Sequence, residues 1–379
     1  MKKMFFFAAV ASVAFVSCTK DVETPANNVG SNEPAITFEV GSPLSVSTRG
    51  KGAVGGTGIG SDVNTWKGET LNVFMFEKGT MNLAFNQTTN AYYFENAEII
   101  APNGTSSAAG VASGIATYGD PQYFPSSGDF DFYAYHGDDA VVGILSLYDT
   151  QTSLKAAVEI DGTQDLMIAK AGLNKTDSTT YEKADSYNYE RIYSAYAARR
   201  GVNPRFTFKH LLSRFVFQAE AAQEAAAGAN GIKITKIVVK APSVGVMTIA
   251  SLDEKELGVV FGNEATDSLD MYLHPCNDEG EMVAKELVYG ENVRLGESML
   301  LPAGATEYVA DIYYEQTKDN GTTIYDIYTA PIILKGNKPF EAGYQYKVNI
   351  KVYDFQEIKL TADLQAWKEG EDIPVDSEQ

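Results

Sequence analysis

Two cysteines, three histidines and an arginine in a glycine-rich setting are the residues of this 379-residue chain whose surroundings suggest chemistry. Cys18 closes the opening segment. Lys2 and Lys3 give a positive start, Met4 to Phe15 is an apolar run, and Val16 and Ser17 lead into the thiol. Such a run is shorter than the roughly 20 residues that cross a bilayer as a helix. It suits the hydrophobic region of an export signal. A Cys directly after a small residue at the end of that run has the pattern of a bacterial lipobox, where the thiol is acylated and the leader is cut before it. Phe15 stands where Leu is usual. The expectation is a signal peptide over 1–18 and an exported chain held at the outer membrane by lipid on Cys18, since buried acyl methylenes contribute about 0.8 kcal/mol each.

The remaining candidates for chemistry are weaker. Cys276 lies in Leu273-His274-Pro275-Cys276-Asn277. One His and one Cys without further clustered ligands do not make a zinc site, so a loop cysteine is expected, with no metal and no disulfide. His136, His210 and His274 are far apart, and no Gly-x-Ser-x-Gly elbow accompanies them. His210 follows the inward phase of Phe206 and Phe208 and reads as a core residue. Asp138 and Asp139 follow His136 and suggest a carboxylate pair for glycoside hydrolysis. Neighbouring residues on a strand, however, point to opposite faces. No catalytic residue, no cofactor and no enzymatic activity are expected.

Arg49 sits in Ser47-Thr48-Arg49-Gly50-Lys51, which runs into Gly52, Gly55, Gly56, Gly58 and Gly60. The stretch lacks the Gly-Lys-Ser/Thr ending of a phosphate-binding loop, and no strand-to-helix context follows. It reads as an exposed loop of the kind proteases cut, with Arg49 as the residue for a trypsin-like enzyme.

These residues need a scaffold. With 44% hydrophobic residues, sizeable cores are expected, and the length suits two domains. The net charge of −20 repels phosphate backbones and excludes nucleic acid as a partner. The pattern is almost all β. Ile36, Phe38 and Val40 alternate with Thr37 and Glu39. Leu71 to Phe76 is apolar on both faces, Ala91 to Ile100 reads as a strand, and so do Phe130 to Tyr135 and Asp165 to Ala169. Residues 171–204 read as loops with one helical turn. A phase slip at Leu211-Leu212-Ser213 and another between Ile234 and Ile237 suggest bulges. Residues 219–228 read as a short helix or loop. Tyr308–Tyr314, Asp319-Asn320-Gly321 and Ile324–Tyr328 form a hairpin. Short strands with recurrent turn signals argue for β-sandwiches, with a boundary near 200–210.

The chain ends on two strands of regular period. Tyr344, Tyr346, Val348, Ile350 and Val352 share one face. Then Ile358, Leu360, Ala362, Leu364 and Ala366 share another, and Trp367 closes the second strand. Such a strand either completes its own sheet or leaves to complete the sheet of another molecule.

The order and spacing of these pieces resemble the fimbrillins of type V pili, lipoprotein-precursor pilins of gut and oral anaerobes. The resemblance rests on the lipobox at Cys18, the strand Ile36–Val40 and Thr48-Arg49-Gly50. It continues through Trp66–Phe76, Tyr123-Phe124-Pro125, Phe132-Tyr133-Ala134-Tyr135-His136 and Gln164-Asp165-Leu166-Met167. Phe206-Thr207-Phe208-Lys209-His210-Leu211-Leu212-Ser213, Phe340-Glu341-Ala342-Gly343-Tyr344 and Trp367 complete it.

This resemblance implies two tandem transthyretin-like β-sandwich domains, over 50–205 and 206–379, after a tether and propeptide over 19–49. It implies that an Arg-specific protease cuts between Arg49 and Gly50, releasing lipid, tether and the strand of Ile36, Phe38 and Val40. The mature chain, Gly50 to Gln379, would have 379 − 49 = 330 residues. A donor strand at 357–367, carrying Ile358, Leu360, Ala362, Leu364 and Trp367, would fill the vacated groove of the next subunit. The implied partners are other fimbrillin subunits, the protease, the outer membrane before maturation, and a host glycan or protein. Alternatives are a tip or accessory fimbrillin acting as adhesin, and a surface lipoprotein that binds glycans or proteins without polymerising.

Overall fold

The computed structural model describes residues 34–41, 66, 68–102, 113–145, 152–172, 193–262, 267–276, 281–355 and 357–365. Cys18, Arg49, Gly50 and Trp367 lie outside them. Among the described residues the chain is nearly all β, as its alternating patterns require. No helix there is long and apolar enough to cross a membrane.

The first half is organised by a five-stranded sheet in the order Lys209–His210, Met167–Lys170, Phe130–His136, Thr70–Glu77, Ala97–Ile100. Its central strand, Phe130–His136, is buried at every position. A strand covered on both faces has no need of polar alternation, which explains why Leu71–Phe76 and Phe130–Tyr135 are apolar on both sides. Leu71, Val73, Met75, Phe132, Ala134, Met167 and Ala169 face one core, which also holds Ile36, Phe38 and Val40. Phe74, Phe76, Tyr133, Tyr135, Leu166 and Ile168 face a second core, continuous with the C-terminal strands. One sheet is thus the wall between two cores. The one carboxylate on that buried strand, Asp131, is satisfied by Lys78 Nζ at 2.6 Å and the Gly79 amide at 3.0 Å.

The C-terminal half adds two five-stranded sheets. In one, Leu212–Ala221 runs parallel to Gln345–Val352, which pairs antiparallel with Ile358–Gln365. In the other, Ser268–Leu273, Ile232–Pro242, Glu307–Thr317 and Thr323–Ile333 lie in that order. The last two form the expected hairpin, turning where Gly321 adopts φ +80°. Between Ile234 and Lys236 the register shifts, and this bulge is the source of the phase slip.

Pairing crosses the region where the pattern suggests a boundary. Ser153–Glu159 pairs with Val244–Ser251, and Val141–Ile144 and Gly258–Phe261 flank them to make a four-stranded sheet. Phe206 and Phe208 pack in the first core, on the N-terminal side of the phase slip at Leu211-Leu212.

Three local expectations are corrected. Ala91–Ile100 is not one strand: Ala91–Tyr92 pairs with Phe85–Asn86, and a separate strand begins at Ala97. Asn90 and Asn96, at φ +54° and +53°, break the ladder, a conformation Asn tolerates better than most residues. The strand from Leu212 runs on to Ala221, and only Glu224–Ala226 forms a 3-10 turn. Asp138 and Asp139 lie in a turn past the strand, with Asp138 at φ +46°, so strand alternation does not set their directions. The helical turn expected within 171–204 is Ala195–Ala198, capped by Ser194 Oγ accepting from the Ala197 amide.

Candidate functional site

The segment Pro34–Gly41 lies in a groove built by residues far from it in sequence. Its strand Glu39–Gly41 is the middle member of a three-stranded sheet, between Ser113–Ile115 and Arg205–Phe206. It pairs antiparallel with the first and parallel with the second. Further hydrogen bonds extend the zipper: the Ile36 amide donates to the Gln122 carbonyl at 2.7 Å, the Phe124 amide to Pro34 at 3.1 Å, and the Ala116 amide to Phe38 at 3.0 Å.

Period two decides which side chains enter the core. Ile36, Phe38 and Val40 are at most 1% exposed, whereas Thr37 and Glu39 are half-buried on the outer side. Phe38 is the centre of an aromatic cage. Its ring centroid lies 5.0 Å from Phe94, 5.4 Å from Phe132, 5.5 Å from Phe206 and 6.0 Å from Tyr118. Phe94 and Phe132 meet it edge to face and Phe206 stacks on it, and aromatic pairs in such arrangements contribute about 0.5–1.5 kcal/mol each beyond area burial. Tyr118 also donates its hydroxyl to the Ile36 carbonyl. Burial raises the Tyr118 phenol above its ordinary value, so it remains a donor at neutral pH. On the outer side Glu39 Oε2 stands 3.7 Å from Arg205 Nη1.

The C-terminal strand is held differently. Among the described residues Ile358–Gln365 is a sheet edge whose ladder runs along Gln345–Val352, supplemented by a bridge from Leu334 to Ala362. Ile358 is buried, while Leu360 and Ala362 are half-buried. Gln345–Val352, by contrast, is interior to the sheet and also pairs with Leu212–Ala221 over eight positions. A Lys351–Glu220 ion pair at 2.7 Å and the Gln218–Asn349 side-chain hydrogen bond tie those two strands together. The turn between Val352 and Ile358 is pinned from outside. Tyr314 Oη donates to the Phe355 carbonyl at 2.9 Å, and the two rings meet edge to face at 5.0 Å. Burial and nearby Asp326 push the Tyr314 phenol up to about 12.

None of the histidines belongs to the strands that pair with this segment. His136 and His210 lie in one row of the middle sheet, each opposite Met167. His210 Nδ1 lies 2.8 Å from Asp165 Oδ2, both side chains being 1% exposed. His136 Nδ1 donates to the Thr70 carbonyl at 2.9 Å, and its Nε2 stands 3.3 Å from Asp138 Oδ1. Burial opposes the charge on His136, but the Asp138 hydrogen bond and charge, the Thr70 carbonyl and Asp165 outweigh it and raise its pKa. Asp138 Oδ2 in turn accepts from the Asp165 amide at 3.2 Å. His274 is exposed and stacks on Tyr272, and Cys276 is buried with its backbone bridged to Met282.

A cleft of about 410 Å³ opens beside the segment that receives Pro34, lined by Glu77, Lys78, Phe85, Pro125, Asp129 and Phe130 among others. It mixes two aromatic rings with charged groups.

The alternation of Ile36, Phe38 and Val40 marks a half-buried strand and nothing more. It does not reveal Phe94, Tyr118, Phe132, Arg205 and Phe206 as the walls of the groove. It does not reveal Tyr314 as the restraint on the last turn either. These walls come from segments separated by tens of residues, and no local periodicity encodes their meeting.

Comparison with known proteins places this architecture. A fimbrial protein from Bacteroides vulgatus superimposes with a TM-score of 0.50 at 10% identity, covering 88% of this chain and all of the other. A candidate cell adhesion protein from Bacteroides ovatus gives 0.48 at 14% identity, with 89% and 99% covered. Another from Bacteroides uniformis gives 0.46 at 14% identity, with 88% and 98% covered. No curated protein sequence matches the chain. A family model described as fimbrillin-like matches residues 60–367, most of its length, and the chain belongs to that fimbrillin-like family.

Proposed function

We propose that the protein is a fimbrial subunit that polymerises by protease-triggered strand exchange. The family supports a role in fimbriae or cell adhesion and assembly with other fimbrial subunits at the cell surface. The finer mechanism rests on one observation. The strand N-terminal to Arg49 is the middle member of its sheet, not an edge, and its three inward side chains are part of a core. Cutting after Arg49 and losing that strand opens a slot with an unpaired edge on each side, a template for another strand.

The C-terminal strand is the natural donor because leaving home breaks one main ladder. Gln345–Val352 is held on both sides and stays. Donation from the end of one molecule into the groove of the next is head to tail and does not close, so it builds filaments. Burying the large apolar side chains of the donor contributes about 1.5–3 kcal/mol each before ordering costs. Acylation of Cys18 would hold the precursor at the outer membrane until the cut.

The test is limited digestion of the precursor with an Arg-specific protease, followed by mass spectrometry and size analysis. A fragment beginning at Gly50, accompanied by high-mass species that resist mild detergent, is expected. Deleting 357–379 should abolish those species while leaving the cut intact. The second reading, an accessory or tip subunit acting as adhesin, is favoured by the cleft beside Phe85 and Phe130. In that case the fragment beginning at Gly50 stays monomeric and binds a glycan or protein, with binding lost on Phe85→Ala.

A further inference from the structure

The displaced strand and its replacement share a pattern. Ile36-Thr37-Phe38-Glu39-Val40 reads apolar, Thr, apolar, acid, apolar. Within the C-terminal strand, Leu360-Thr361-Ala362-Asp363-Leu364 reads the same, position by position. In the precursor the apolar residues and the acid of the first pattern each have a use. The three apolar residues fill the core, and the acid faces Arg205 across 3.7 Å on the outer side.

Resting on the exchange mechanism above, we infer the register of the intermolecular strand: in a second copy of this chain, Leu360, Ala362 and Leu364 take the places of Ile36, Phe38 and Val40, and Asp363 takes the place of Glu39 against Arg205. The incoming strand then runs in the same direction as the one it replaces, parallel to Arg205–Phe206 and antiparallel to Ser113–Ile115. Charge selects among the possibilities. Sliding the strand by two residues, so that Ile358 sits at Ile36, puts Thr361 opposite Arg205 and Lys359 at Thr37. That leaves the guanidinium without an acid and brings a second cation to the same outer face. Reversing the strand about Ala362 moves Asp363 to the Thr37 position, away from Arg205.

The same register assigns a function to the mismatch at its centre. Ala362 is far smaller than Phe38, so the cage of Phe94, Tyr118, Phe132 and Phe206 is filled better by the chain's own segment than by the donor. A tethered strand that also packs better cannot be displaced by a competing one. The precursor is therefore self-locked, and assembly waits for the cut.

Cysteine pairing across the new interface reads the register directly, because Glu39 is the outward-facing partner of Ile115 and Ile115 is 62% exposed. Full-length precursor carrying Ile115→Cys is mixed with precursor carrying Asp363→Cys, or separately Thr361→Cys. Each mixture is cut with the Arg-specific protease, oxidised and run on a non-reducing gel. The expected result is an intermolecular disulfide with Asp363→Cys and none with Thr361→Cys. A disulfide with Thr361→Cys instead, or polymer that crosslinks with neither, overturns the register while leaving strand exchange standing. A wild-type chain that is cut yet stays monomeric overturns the exchange reading and the register with it.

Kinetic variants add an independent readout. Asp363→Lys should slow polymerisation several-fold, about the effect expected of a half-exposed pair turned to like charge, and Arg205→Glu in the same chain should restore it. Ala362→Phe should slow dissociation of preformed polymer by tenfold or more, whereas Leu360→Phe should not. Equal effects of the two Phe variants would also overturn the register.

Discussion

Phe38 anchors its segment in the core through an aromatic cage. Its removal leaves a hole between four aromatic rings, and truncating a buried Phe to Ala costs about 3–5 kcal/mol. Phe38→Ala should therefore lower the precursor's stability by that amount in chemical denaturation. Polymer made from the variant after cleavage should match wild type, because the altered residue has left with the propeptide. An effect of equal size on the polymer would mean that residue 38 is retained. His136 gives a second residue-scale expectation. Its pKa in the folded chain lies above the ordinary 6.5. A group of this kind contributes stability that is fully present below 6.5 and is lost as pH rises through the raised folded value. The melting temperature of wild type relative to His136→Gln should accordingly be highest on the acid side of 6.5 and fall on the alkaline side. A difference that does not vary with pH would assign His136 a packing role alone.

At the scale of elements, the last strand is restrained along its length by its ladder to Gln345–Val352 and at its start by Tyr314 on the preceding turn. Tyr314→Phe keeps the ring contact with Phe355 and removes one hydrogen bond, worth about 0.5–1.5 kcal/mol. Polymer should form several-fold faster from the cut variant, in a light-scattering time course, if release of the strand limits assembly. The elements themselves were largely legible. Period two exposed the strands from Ile36, Tyr344 and Ile358, and the slip after Ile234 announced a bulge because a bulge is what inverts strand phase. Ala91–Ile100 misled because its apolar content is that of a strand, while the interruption depends on the backbone of Asn90 and Asn96. Pairing was illegible. Ser153–Glu159 alternates cleanly, yet nothing in it specifies Val244–Ser251 as its neighbour, and Asp165 does not announce His210. The groove shares this property: its occupant is written in Ile36–Val40, whereas its walls exist only once the sheets have formed.

For the whole molecule, charge would set the pace of the proposed assembly. Residues 1–49 hold four basic and four acidic residues, so a chain cut after Arg49 would keep the full −20. Subunits that carry such like charge repel one another over roughly a Debye length, about 10 Å at 0.1 M salt. Polymerisation of the cut chain should therefore accelerate as salt rises from low to physiological strength and then level off. A rate that falls with salt would instead point to contacts dominated by complementary charge between subunits. The sign of the effect follows from the totals, 50 acidic residues against 30 basic ones.

The parallel pairing of Leu212–Ala221 with Gln345–Val352 bears on how a fibre of such subunits would resist being pulled. Tension from the next subunit would enter through the turn after Val352. Tension from the previous one would enter at the groove, a few residues before Leu212. Two parallel strands gripped at opposite ends are loaded in shear, so all eight positions of that ladder bear the force together instead of opening one after another. In such a fibre the strand that stays home would be the cable, and the strand that leaves would be its hook.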